Sequence, residues 1–60
     1  MPDYEICYRD SNGAIASKYI VGCSDDLHAK VLAHALMSRD YKQIEVWEGD
    51  VLVYERPEKR

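Results

Sequence analysis

The chain has 60 residues, with 11 acidic against 8 basic side chains and a formal net charge of -3. That length suits one small domain, 1–60, burying only about 60% of its unfolded surface. It calls for a further stabilising device, and with two cysteines the one at hand is association. The acidic balance argues against nucleic acid as partner, no apolar run reaches the ~18 residues of a membrane span, and the start lacks a signal-peptide pattern, so the sequence reads as cytoplasmic with reduced thiols.

From Tyr4 to Arg9 the residues alternate, Tyr4, Ile6 and Tyr8 on one face and Glu5, Cys7 and Arg9 on the other, which predicts a half-buried strand. "DSNG" follows, and Asn12-Gly13 is a hairpin signal because both residues tolerate positive φ. A second strand runs from about Ile15 to Val21. A two-residue loop at Asn12-Gly13 pairs Ile6 with Tyr19, Tyr8 with Ser17 and Tyr4 with Val21, giving one coherent apolar face. A three-residue loop with Gly13 in a bulge slips the pairing by one and sets Lys18 opposite Ile6, so the two-residue loop is preferred.

Ser24 is the expected N-cap of a helix, with Asp25 and Asp26 placing negative charge in the first turn, and the helix is expected to run to about Ser38. Its best sheet-facing stripe is Ala29, Leu32, Ala33 and Leu36. Leu27, Val31 and Ala35 form a second apolar flank, and Lys30, His34 and Ser38 a polar strip. After the linker "RDYK", Ile44–Glu48 and Val51–Arg56 read as two strands around Gly49-Asp50, with Pro57 ending the last and residues 56–60 expected to fray. The order is ββαββ, an α+β fold of two β-hairpins in a four-stranded antiparallel sheet with one helix on one face. A right-handed crossover gives strand order 2-1-3-4. Trp47 falls on the face opposite Ile44 and Val46, away from the helix.

Cys23, beside the helix start, is the one residue that resembles a nucleophile, with His28 one turn on. Asp25 and Asp26 oppose a thiolate there, no oxyanion site is evident, and the simpler reading is a small apolar residue packed outside the cap. His28 and His34 stand about 240° apart on a helix and cannot chelate one ion, and no CxxC or HxxxH occurs. Asp10, Asn12 and Gly13 lack the further ligands of a calcium loop. These residues predict a protein that is not an enzyme, with no cofactor and no metal. What remains is apolar surface in two places: Trp47 with Leu52, Val53 and Tyr54, and Leu27 with Val31. Such patches predict a homodimer or an adaptor for another protein. The alternative is a small-molecule or redox-responsive role for Cys23 near His28.

"DSNG" with a following Ile, "CSDD" with an Ala three residues on, and "IEVWEG" with "LVY" together resemble a group of short, uncharacterised alphaproteobacterial proteins. That group has a D-x-[DN]-G-x-I turn, a C-x-D-D helix start and an [IV]-E-V-W-x-G final hairpin. The resemblance covers Tyr4 to about Tyr54. It implies no activity, and it supports reading the sequence as a complete small protein.

Overall fold

A computed structural model describes residues 1–37 and 41–57. Over these the chain forms β1 (Asp3–Arg9), β2 (Ile15–Gly22), α1 (Asp26–Ala35), β3 (Gln43–Glu48) and β4 (Val51–Arg56). The strands make one antiparallel sheet in the order β2-β1-β3-β4, which is the ββαββ architecture that the two hairpin patterns predict.

The alternation in β1 decides where the core lies. Tyr4, Ile6 and Tyr8 meet Ile44 and Val46 of β3, and with Cys23, Ala29 and Ala33 they form the buried cluster between sheet and helix. Side chains of this size contribute about 1.5–3 kcal/mol each when removed from water. The helix presents only methyl groups at its centre of contact, Ala29 and Ala33, and therefore sits close to the strands. Two tyrosines of β1 reach past it. The Tyr4 hydroxyl donates to Asp26 Oδ1 at 2.7 Å, and the Tyr8 hydroxyl donates to the Ala33 carbonyl. The bond to Asp26, with burial second, raises the Tyr4 phenol far above its usual pKa of 10.0. Burial pushes Tyr8 up to about 12. Tyr41, from the connection after the helix, stacks on Tyr8 with centroids 4.8 Å apart and bonds Ser17 through its hydroxyl at 2.6 Å.

The first hairpin corrects the predicted loop. The Asp10 amide bonds the Ala14 carbonyl and the Gly13 amide bonds the Asp10 carbonyl, so Ser11, Asn12 and Gly13 form a three-residue loop with Gly13 at φ 82°. Asp10 Oδ1 accepts from the amides of Asn12 and Ala14, which holds this turn without an Asn12-Gly13 pair in positive φ. The expected slip does not spread. A bulge at Ala16, between the pairs Arg9↔Ile15 and Tyr8↔Ser17, cancels it, and Ile6↔Tyr19 and Tyr4↔Val21 stand as predicted. In the second hairpin Glu48 faces Val51 across Gly49-Asp50, and Gly49 alone takes positive φ, 61°, the pattern of a type II′ turn.

The helix start also differs by one residue. Asp25, not Ser24, is the N-cap: its backbone is extended and its Oδ1 accepts the His28 amide at 2.8 Å. Both residue types cap well, and the choice is made by tertiary contacts. The Cys23 amide bonds the Pro2 carbonyl and Tyr4 holds Asp26, which fixes the chain on both sides of Ser24 and Asp25. The helix closes at Ala35 rather than about Ser38. No glycine follows to form a left-handed cap, and the Met37 amide turns back to the His34 carbonyl three residues earlier. Ser38 and residues 58–60 of the expected tail lie outside the described residues. Arg56 is the last residue of β4.

Candidate functional site

The surfaces that sequence reasoning singled out fall into three places. The first is the sheet face turned away from the helix. Trp47 stands there, opposite Glu5 and half-buried. No described element lies over this face, yet Glu45 is only 6% exposed and Cys7 is buried too. Their neighbours cover them. Trp47 Nε1 donates to Glu45 Oε1 at 3.4 Å and Gln43 Nε2 to Oε2 at 3.2 Å. Arg9 Nε lies 3.3 Å from the same Oε2 as an ion pair, although its N–H is not aligned for a hydrogen bond. The Cys7 thiol donates to Glu5 Oε1 at 3.7 Å, and Lys18 Nζ lies 2.8 Å from that oxygen. Burial, with the Glu5 charge second, pushes the Cys7 thiol up, so it stays protonated in a face that its own long side chains have closed.

The second place is the outer side of the helix, where Leu27 is 68% and Val31 62% exposed, one turn apart and opposite the alanines that touch the sheet. They make a narrow ridge. Cys23 is at 0% exposure within the core cluster. His28 is exposed and turns its ring back on Ser24, with Nδ1 3.4 Å from the Ser24 amide nitrogen.

The third place is the pair of sheet edges. Tyr54 belongs here: it pairs with Val46, so it stands on the helix side of β4 and not beside Trp47. Its hydroxyl is 2.5 Å from His34 Nε2, so His34, read from the sequence as merely solvated, ties helix to edge. Lys30 and Arg56 lie over the same ring. Leu52 pairs with Trp47, and a bulge between Val46 and Trp47 sets Val53 out of the regular pairing, in the middle of β4. Two of the six residues of β4 are charged, and Pro57 follows it. The other edge is unlike this. β2 carries one charge in eight residues, Lys18, and that charge is matched by Glu5 within the chain. Its bulge lies at one end, leaving Ser17–Gly22 in regular pairing, and Ile20 is 73% exposed.

The contrast between the edges is legible in the sequence, because the predicted order 2-1-3-4 puts "IASKYIVG" at an edge, and that string has one lysine and no proline where "VLVYERP" has a glutamate, an arginine and a proline. Among the described residues no helix is long and apolar enough to cross a membrane, and no three His, Cys, Asp or Glu side chains are grouped to hold a metal ion. Comparison with family models, curated proteins and solved structures finds no match to this chain.

Proposed function

We propose that the chain is a protein-binding module that works by self-association, two copies joining along β2 so that each four-stranded sheet continues into the other. The observation behind this reading is the bare β2 edge. Edge strands present a row of backbone donors and acceptors, and proteins blunt them with charge, proline or central bulges. β4 carries two charges and a central bulge and is followed by Pro57, whereas the regular part of β2 has no proline, no bulge and one charge, Lys18, which Glu5 of the same chain already pairs.

The register of such a pair follows from the side chains. Two β2 strands related by a two-fold axis must match helix side with helix side, so the axis passes through a single residue. Through Lys18 it would bring two ammonium groups face to face, which is unfavourable. Through Tyr19 it sets ring beside ring, Lys18 opposite Ile20 of the other copy, and Ser17 opposite Val21. The axis on Tyr19 is therefore the favoured one. The reading assigns no catalytic step, and it places the chain in the reducing cytoplasm, where two unbridged cysteines persist.

Sedimentation at micromolar concentration tests association, with twice the monomer mass expected. A Tyr19→Cys variant under mild oxidation tests the register, since residues facing each other in an antiparallel pair lie about 4.5–5.5 Å apart at Cα, within reach of a disulfide. A monomer at all concentrations sinks the reading. A dimer that Tyr19→Cys does not cross-link, and that exchanges its β2 amides as fast as a monomer, moves the interface elsewhere. The Leu27–Val31 ridge is then the second reading, carried by its exposure on a helix already seated by its other side.

A further inference from the structure

Asn12 is the only asparagine of the chain, and Gly13 follows it in the loop between β1 and β2. Both residues are exposed, and the Asn12 carboxamide has no hydrogen-bond partner among the described residues. A β-carbon placed on Gly13 would meet nothing within 4 Å, so the space around the Asn12–Gly13 peptide is open to water. What the loop does hold is its backbone. The Gly13 amide donates to the Asp10 carbonyl at 3.0 Å, and Arg9 Nη1 donates to the Gly13 carbonyl at 2.9 Å. Asp10 Oδ1 accepts from the Asn12 amide at 2.9 Å and from the Ala14 amide at 3.1 Å, so one carboxylate oxygen fixes the chain on both sides of the Gly13 nitrogen.

We propose that Asn12 is a site of spontaneous deamidation, and that Asp10 sets its rate by keeping the loop closed. The Gly13 nitrogen, on losing its proton, attacks Cγ of Asn12. The new N–C bond closes a five-membered succinimide, and the side-chain nitrogen leaves with a proton as ammonia. Water then adds to either ring carbonyl and opens the ring. One opening gives aspartate; the other gives isoaspartate, with the chain running through the former side chain. The balance is amide plus water to acid plus ammonia, and no oxidant or further reactant enters it. Glycine favours the attack because it has no side chain to block the approach. In the closed loop the attacking N–H is already given to the Asp10 carbonyl, so reaction waits for the loop to open. That opening breaks the contacts of Asp10 and leaves the cluster of Tyr4, Ile6, Tyr8, Ile44 and Val46 in place, so it is a local event rather than unfolding of the chain. Either product adds a negative charge beside Asp10, and isoaspartate also lengthens the backbone by a methylene in a three-residue loop. None of this depends on what pairs with β2.

The experiment is a timed incubation of the full chain at mildly alkaline pH, in buffer and in denaturing urea. Intact mass reads the conversion of amide to acid, and mapping of the peptide that spans the loop scores aspartate against isoaspartate. Conversion at Asn12 is expected in buffer, slower than in urea by at least about tenfold. It should also be faster than the unfolded fraction, taken from a urea melt, could supply. Asp10→Ala should speed conversion in buffer by about tenfold through loss of two hydrogen bonds, and leave the rate in urea unchanged. Asp10→Ser keeps a weaker acceptor and should fall between the two, and it is read in place of Asp10→Ala should that variant not fold. Asn12→Gln, whose ring would be one atom larger, should abolish the mass gain. Equal rates in buffer and in urea, a rate in buffer no greater than the unfolded fraction supplies, or Asp10 variants that convert no faster than wild type overturn the proposal.

Discussion

The two edge strands of this sheet are solved differently, and the difference rests on a few residues. β4 is tied to the helix through Tyr54 and His34, interrupted at Val53, charged at Glu55 and Arg56, and followed by Pro57. β2 has only Lys18, and that cation is spent on Glu5 inside the same chain. A chain that guards one edge in four ways and leaves the other bare has a direction in which it can grow. The open sheet face is roofed only at its centre, where Arg9, Gln43 and Trp47 cover Glu45, while Ile20 and Leu52 stand exposed toward its two edges.

The comparison can be broken most sharply at Ile20. Ile20→Lys sets an ammonium opposite Lys18 of the other copy and should raise the dimer dissociation constant by about a hundredfold, read by sedimentation, without loss of the monomer's helix signal in circular dichroism. An unchanged constant would mean that β2 is not the seam. Next in size, Tyr54→Ala removes the tie that guards β4. It should cost about 1–2 kcal/mol in urea unfolding, less than a fully buried aromatic because Tyr54 is half-buried, and should add species larger than a dimer.

Smaller still is the effect of Glu5→Gln. The hydrogen bond from Lys18 holds the Glu5 carboxyl below its usual 4.5, and the same contact raises the Lys18 ammonium above its usual 10.5. A depressed carboxyl stabilises fully above its unfolded value and loses that contribution as pH falls through the folded one. The melting-temperature difference between wild type and Glu5→Gln should thus be present near neutral pH and vanish as pH is taken below 4.5. At neutral pH the variant also releases Lys18 as a guard, and the dimer should weaken by a few fold. The smallest expected change is in Leu27→Asp, on the helix ridge, which should leave the dimer constant within about twofold. A large effect there would transfer the interface to the helix.

Much of this fold could be read in advance because period and punctuation agreed. Tyr4, Ile6 and Tyr8 alternate cleanly, Asn12-Gly13 and Gly49-Asp50 mark the turns, and four strands with short connections leave one plausible order. The departures from that reading are local and have tertiary causes. Ser24 and Asp25 are equally good caps, and only the Tyr4–Asp26 bond and the Cys23 amide chose between them. The loop at Ser11–Gly13 depended on the Asp10 carboxylate, and the Ala16 bulge that repairs the register has no sequence signature of its own. Trp47 and Leu27 are legible as apolar residues with no place in the core. The Tyr54 contacts are not, because Lys30 and His34 lie more than twenty residues from Arg56 and only the packing of helix against β4 brings them to one ring.

The helix meets the sheet through two buried alanines, with Leu32 packed beside them, while two phenols stand up from β1 toward its ends, at Asp26 and at the Ala33 carbonyl. Methyl groups on an apolar floor tolerate sliding, since one position along a strand is nearly as good as the next. Hydroxyls do not, because each is satisfied at only one place. The apolar contact therefore decides that the helix adheres, and the tyrosines act as two struts of fixed length that decide where. Position along the sheet is encoded in two oxygen atoms rather than in the shape of the core.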